Sequence, residues 1–190
     1  MRDGVYLALG DSMSIDEYTG VKGGGAASQF HRGLPGSWRF VDRTYDGCMM
    51  AGVPVGDEGD VITLTIGGND ALMQKSVYLV EGIGSFVRQH LRLLERIREI
   101  NPESCFIIGN IYAPETPLPD KYMDLLRRAN EAIADNTARV GGHLADIFGA
   151  FQGHEETYLC YEIEPTLEGA RAIAALFREE CEDWLYNKEK

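Results

Sequence analysis

The feature that most constrains this chain is an apolar run that stops abruptly at a glycine. Residues 5–9 read Val-Tyr-Leu-Ala-Leu, and Gly10, Asp11 and Ser12 follow at once. An uninterrupted apolar run of this kind is typical of a strand buried on both faces, as in a parallel sheet covered by helices. Glycine permits the sharp turn that ends such a strand. The pattern therefore predicts Ser12 at the C-terminal end of a strand, where open α/β sheets bind their ligands.

The rest of the chain alternates between apolar strands and helices. Further strands are predicted over residues 38–42, 61–66, 105–111 and 143–147. Helices are predicted over residues 26–32, 83–100 and 121–140, with Asp120 as the N-cap of the third, and a last helix opens at Pro165 and Thr166. This alternation indicates a mostly parallel sheet with helices on both faces. Because the 190 residues show no internal repeat or boundary, we expect a single domain over residues 1–190.

Composition limits the partners. The net charge of -12 argues against nucleic acid or an anionic membrane as a partner, since both attract basic surfaces. No apolar stretch approaches the roughly 18 residues of a membrane-spanning helix. The four cysteines form no Cys-x-x-Cys pair, so we expect neither a zinc site nor a disulfide framework. Only residues 1–4 precede the first strand, so we expect no signal peptide and a cytoplasmic protein. The sequence does not predict the oligomeric state.

Two other segments contain residues that are common in ligand sites. The triplet Gly23-Gly24-Gly25 is not followed by Gly-Lys-Ser/Thr, so we interpret it as a flexible or close-approach loop rather than a phosphate loop. Asp11, Asp16 and Glu17 bring acid near Ser12 but lack a metal-ligand pattern with histidine or cysteine. We therefore expect neither a cofactor nor a metal.

Three polar motifs follow three predicted strands. They are Gly10-Asp11-Ser12, Asp46-Gly47 and Gly67-Gly68-Asn69-Asp70. The C-terminal ends of parallel strands meet at one edge of the sheet, so this edge would gather a hydroxyl, an unobstructed backbone N–H and a side-chain amide. Acyl transfer needs this set, because serine attacks a carbonyl and fixed donors stabilise the oxyanion that forms.

Together these motifs resemble those of the SGNH (GDSL-type) hydrolases. The resemblance implies a flavodoxin-like, three-layer α/β/α sandwich with about five parallel strands. It also implies Ser12 as the nucleophile, with an oxyanion hole made by the N–H groups of Ser12 and Gly47 and the side chain of Asn69. The expected activity is serine-dependent hydrolysis of a small-molecule acyl ester through an acyl-enzyme, as in an esterase, acylhydrolase or deacetylase.

The chain departs from the family pattern at the general base. Members usually carry Asp-x-x-His-Pro before the last helix, whereas here Tyr161 stands at the aspartate position and Glu164 at the histidine position. Glu164 itself is one candidate base. An ordinary glutamate, with a pKa near 4.3, is a poor base for serine unless burial raises that pKa.

Two alternatives remain open. His154 lies in the loop before the last helix and is the favoured base; Glu162 or Glu164 would orient it. His31, His90 and His143 are weaker candidates. Alternatively, the triad is broken, and the protein binds an acyl or carbohydrate ligand without efficient turnover.

Overall fold

A five-stranded parallel sheet forms the centre of the molecule. The computed structural model describes residues 4–187, with side chains described through residue 185. The strands are β1 (Gly4–Gly10), β2 (Trp38–Thr44), β3 (Val61–Thr65), β4 (Cys105–Gly109) and β5 (His143–Ala145). Their spatial order is β2-β1-β3-β4-β5, and all neighbouring pairs are parallel. This is the flavodoxin-like order, whose topological switch point lies between β1 and β3.

Helices cover both faces of the sheet. They are α1 (Ala26–Gly33), α2 (Gly68–Glu81), α3 (Gly84–Ile100), α4 (Asp120–Arg139), α5 (Ile147–Phe151), α6 (Glu155–Tyr158) and α7 (Leu167–Asn187). One core joins α2, α3 and α4 to one face of the sheet, and the other joins α1, α5 and α7 to the opposite face. The predicted three-layer fold is therefore confirmed. None of the helices within residues 4–187 combines the length and the apolar character that crossing a bilayer requires.

The alternating side chains of the buried strands build the two cores. Leu7 and Leu9 of β1 pack into the core beneath α3 and α4, whereas Tyr6 and Ala8 pack into the other core. Every residue of β3 and β4 is buried. This double burial explains why these strands consist almost entirely of apolar and β-branched residues.

The structure differs from the sequence prediction at several boundaries. The Gly67–Asp70 motif was predicted as a loop, but helix α2 already begins at Gly68. α2 was missed because its apolar residues do not form one stripe: Met73 and Val80 are exposed, whereas Tyr78 is buried. Asp120 is not an N-cap, because Pro119 takes that position and Asp120 is the first helical residue.

β4 and β5 also end earlier than predicted, at Gly109 and Ala145. Asn110 and Asp146, the residues after these strands, bond each other through their side chains at 2.7 Å. Asp146 then caps α5 by accepting the N–H of Gly149. These side-chain bonds replace the sheet ladder at the C-terminal edge.

A small hairpin precedes the last helix. Its strands, β6 (Leu159–Cys160) and β7 (Glu164–Pro165), are antiparallel. Tyr161 and Glu162 in its turn have φ of 49° and 74°, a region that residues other than glycine rarely adopt. The hairpin was not predicted, because the turn contains no glycine or proline.

Candidate active site

The nucleophile candidate follows a turn that only glycine fits. Gly10 has φ of +123°, and a Cβ on it would lie 1.9 Å from the Thr65 carbonyl oxygen. This contact reflects the close approach of β1 and β3, and the N–H of Asp11 donates to the same carbonyl at 2.9 Å. Ser12 therefore emerges at the switch point, where it is only 9% exposed.

The two other strand-end motifs lie against each other. Asn69, in the first turn of α2, donates its side-chain amide to the Cys48 carbonyl at 3.0 Å. Gly47, which precedes Cys48, has φ of +71° and open space around it. One amide hydrogen of Asn69 is thus used to hold the side chain beside the Gly47 turn. The other hydrogen remains for a ligand oxygen.

Asp70 connects the start of α2 to the segment that follows Gly47. Its buried carboxylate accepts the N–H of Met50 at 3.1 Å. The bond ties the start of α2 to the short 3₁₀ helix that follows the Gly47 turn, over residues 50–52. Asp70 therefore supports the segments that carry Gly47 and Asn69, the two candidate oxyanion donors.

Glu164 is the acidic group that reaches the nucleophile. β7 carries it into the site, where it is 8% exposed and its carboxylate lies near enough to the Ser12 hydroxyl for that hydroxyl to lower the pKa of Glu164. Its Oε2 atom is buried and has no hydrogen-bond partner within residues 4–187. The structure thus brings together the residue at the family's histidine position and the candidate nucleophile.

The surroundings change the acidity of Glu164. Burial is the largest effect and raises the pKa of the carboxyl above that of an ordinary glutamate. The hydrogen bond from Ser12 lowers this pKa, whereas the negative charges of Asp46 and Glu17 raise it further. Burial therefore shifts the pKa of Glu164 in the direction that favours a general base near neutral pH.

Asp11 is a second buried acid at the site. Burial raises its pKa from 3.8 to about 8, and the charge of Glu164 raises it as well. Hydrogen bonds from the Met13 N–H and the Thr65 hydroxyl oppose this rise. Near neutral pH Asp11 is therefore largely protonated. A neutral Asp11 does not repel the negative charge of an ionised Glu164 at this site.

His154 makes no described contact with Ser12. It is exposed in front of α6, and its ring stacks on Tyr158 with 5.0 Å between centroids. Its backbone N–H donates to the Phe151 carbonyl at 3.0 Å. Within residues 4–187, none of its hydrogen bonds or ring contacts joins it to the nucleophile.

The other three histidines have other surroundings. The Nε2 atom of His31 lies 2.9 Å from the Trp38 carbonyl oxygen. His90 is buried in α3, and burial lowers its pKa to about 4. His143 lies 3.7 Å from the Glu180 carboxylate. None of these contacts involves Ser12.

The glycine-rich loop is organised by the protein's own carboxylate. Asp16 accepts the N–H groups of Gly23 and Gly25 at 2.6 and 2.9 Å. A Cβ on Gly25 would lie 2.3 Å from the Ile15 carbonyl oxygen, so the close-approach interpretation fits this loop. Asp16 thus takes the position of an anion on these amides. No group of three or more potential metal ligands occurs in the described part of the chain.

A cavity of about 150 Å³ opens beside the candidate nucleophile. Ser12 and Asn69 line one end, and the side chains of α2, α4 and the segment after β4 form the walls. Ile163, next to Glu164 in the hairpin, also lines it. The Tyr112 hydroxyl donates to the Ile163 carbonyl and so fastens the hairpin to this wall.

These features agree with the outcome of sequence comparison. The family model described as GDSL-like Lipase/Acylhydrolase matches residues 8–172. The chain belongs to this family. The match includes Ser12, Gly47, Asn69 and Glu164 and agrees with the resemblance of the sequence motifs. No functionally curated protein matches the sequence.

Solved structures of a lipase, a phospholipase and an acetyl xylan esterase share the fold. The lipase Lip_vut3 from a goat rumen metagenome has a TM-score of 0.78 at 20% identity, covering 93% of this chain and 96% of that one. Phospholipase A1 from Streptomyces albidoflavus NA297 gives 0.65 at 19%, covering 93% and 99%. The acetyl xylan esterase variant Axe2-W215I from Geobacillus stearothermophilus gives 0.71 at 16%, covering 93% and 94%. At these identities the likeness establishes the fold alone.

Sequence reasoning missed the residues that position this GDSL-type site. Asp70 was noted only as part of its motif, and the roles of Tyr112 and Asn130 were not foreseen. Asn130 holds Ile111 in the cavity wall by accepting its N–H and donating to its carbonyl. An asparagine in an otherwise apolar helix face was the available signal, because a buried amide needs partners.

Proposed function

We propose that this family member is a serine-dependent ester hydrolase in which Glu164 acts as the general base for Ser12. The observation that supports the proposal is the buried Glu164 carboxylate, which lies at the family's histidine position and whose pKa is lowered by the neighbouring Ser12 hydroxyl. Hydrogen-bonding reach is the first requirement for a general base, and a pKa matched to the operating pH is the second.

The first half of the reaction forms an acyl-enzyme. Ser12 Oγ attacks the ester carbonyl carbon while its proton passes to the Glu164 carboxylate. The oxyanion receives hydrogen bonds from the N–H groups of Ser12 and Gly47 and from the free amide hydrogen of Asn69. Glu164 then gives its proton to the departing alkoxide, and the carbon–oxygen bond of the ester breaks.

The second half releases the acid. Glu164, again ionised, takes a proton from a water molecule, and the hydroxide attacks the acyl carbonyl carbon. The same donors hold the second oxyanion. When this intermediate collapses, Ser12 leaves as an alkoxide and recovers its proton from Glu164, which restores the resting site.

The raised pKa of Glu164 gives this mechanism a pH dependence. A protonated carboxyl cannot accept the proton of Ser12, so the rate should rise with pH as Glu164 ionises. The midpoint should lie above that of an ordinary glutamate, since burial raises the pKa. A histidine base would give a rise centred near its own pKa of about 6.5 instead.

The crowding of acids favours a second candidate function, namely binding of an acyl or carbohydrate ligand without efficient turnover. Asp46 and Glu17 oppose the ionisation of Glu164, and no described histidine contact reaches Ser12. Residual rate enhancement of about a thousandfold over water would persist, because triad knockouts retain this much from the oxyanion hole and binding.

Covalent labelling by a small fluorophosphonate separates the two functions. Intact mass would be followed for the wild type, Ser12→Ala, Glu164→Gln and His154→Ala. We expect no adduct on Ser12→Ala, labelling slowed by about a hundredfold or more in Glu164→Gln, and wild-type labelling in His154→Ala. Failure of the folded wild type to label would favour the binding function. Loss of labelling in His154→Ala would return the role of base to that residue.

A further inference from the structure

The cavity beside Ser12 has a composition that selects its occupant. Ile83, Phe86 and Leu125 are buried wall residues, and apolar side chains make up most of the lining that Ser12 and Asn69 share. Lys75 and the Tyr78 hydroxyl also line the cavity, but a charged group packed against its apolar walls would lose more hydration than these few polar groups could replace. The cavity is therefore suited to an uncharged hydrocarbon group attached to a carbonyl at Ser12.

The dimensions of the cavity limit the length of that group. Its volume is about 150 Å³, and an apolar cavity of about this size in another protein holds one benzene molecule. About six carbon atoms therefore fill the space between α2 and α4. An acetyl group would occupy only the end beside Ser12 and leave the rest of the apolar wall uncovered.

We propose that this cavity is an acyl-chain site and that the enzyme is selective for esters of uncharged acyl chains of about six carbons rather than for acetyl esters. The inference rests on the proposed function for its catalytic readout. The cavity itself is a feature of the fold, so binding to it can be measured without turnover.

The size of the preference follows from apolar burial. Each methylene moved from water into an apolar site favours binding by about fourfold. From acetyl to hexanoyl the chain gains four methylenes, so kcat/KM should rise on the order of a hundredfold. Beyond about eight carbons the chain must leave the cavity, and the rise should stop.

Ala129 offers a way to fill the cavity. It is 3% exposed in the α4 wall and lines the cavity. Ala129→Leu adds three carbon atoms there and should remove most of the space for a hexanoyl tail. The acetyl ester, which ends near Ser12, serves as an internal control. Ala175→Leu is the matched control, since Ala175 is exposed on α7 in the opposite layer.

The experiment measures kcat/KM for p-nitrophenyl acetate, butanoate, hexanoate, octanoate and dodecanoate with the three proteins. We expect an optimum at hexanoate or octanoate in the wild type and in Ala175→Leu. Ala129→Leu should lose at least tenfold on hexanoate while changing less than threefold on acetate. A wild-type optimum at acetate, or an equal loss on both esters in Ala129→Leu, would overturn the acyl-chain site.

Binding distinguishes failure of this site from failure of the proposed function. Hexanamide and acetamide would be titrated into Ser12→Ala by protein-observed NMR. Tighter binding of hexanamide, lost in Ser12→Ala combined with Ala129→Leu, supports the site even if no ester is hydrolysed. Equal binding of the two amides contradicts the site even if esters are hydrolysed.

Discussion

Asn130→Ala should destabilise the protein by removing the support of the cavity wall. The Asn130 side chain accepts the Ile111 N–H at 2.9 Å and donates to the Ile111 carbonyl at 2.7 Å. Ile111 is 7% exposed, so water cannot readily replace either bond. Leaving a buried polar group unpaired costs about 1–3 kcal/mol. Two such groups give an expected loss of about 2–6 kcal/mol in the free energy of unfolding.

Urea denaturation followed by circular dichroism measures this loss. The midpoint should fall with little change in the m-value, which would show that stability rather than compactness changed. Arg128→Ala is the control, because Arg128 is exposed on the same helix and surface substitutions usually stay within about 0.5 kcal/mol. A loss below about 1 kcal/mol in Asn130→Ala would refute the assignment of two buried bonds to this side chain.

Three further changes test other parts of the site. Asn69→Ala should slow hydrolysis and Ser12 labelling by about 100- to 1,000-fold by removing one oxyanion donor, and stopped-flow assays would expose a smaller effect. Asp11→Asn should flatten the pH dependence of stability. Because folding raises the pKa of Asp11 from 3.8 to about 8, wild-type stability declines as pH rises through that window, and an unchanged slope in urea titrations would contradict this. Gly10→Ala should lose more than about 4 kcal/mol, since its Cβ would lie 1.9 Å from the Thr65 oxygen; near-wild-type thermal melting would contradict the close approach.

The fold was predictable because each buried strand has a recognisable run of apolar or β-branched residues. β3 is rich in β-branched residues and β4 in apolar ones, and complete burial on both faces permits few other interpretations. α2 was not predictable from periodicity. Met73 and Val80 are exposed while Asp70 is buried, so its hydrophobic pattern does not mark the face that packs on the core.

The candidate site was predictable only where a strand end fixes a residue. Ser12 and Asn69 follow β1 and β3, whose C-terminal ends meet at the switch point. Glu164 and His154 lie in the short elements and turns that follow the five-stranded sheet, where position in the sequence does not determine which side chain points inward. The hairpin of β6 and β7, with Tyr161 and Glu162 at positive φ, brings Glu164 inward. The turn contains no glycine or proline, so the sequence did not predict it.

In the proposed mechanism Glu164 activates Ser12. The pH profile of fluorophosphonate labelling measures this activation directly. The second-order labelling rate would be measured from pH 4 to 10 for the wild type and Glu164→Gln. We expect a wild-type rate that rises with pH, with a midpoint above that of an ordinary glutamate, and a slow rate without this rise in Glu164→Gln. A wild-type rate and an unshifted profile in Glu164→Gln would contradict it.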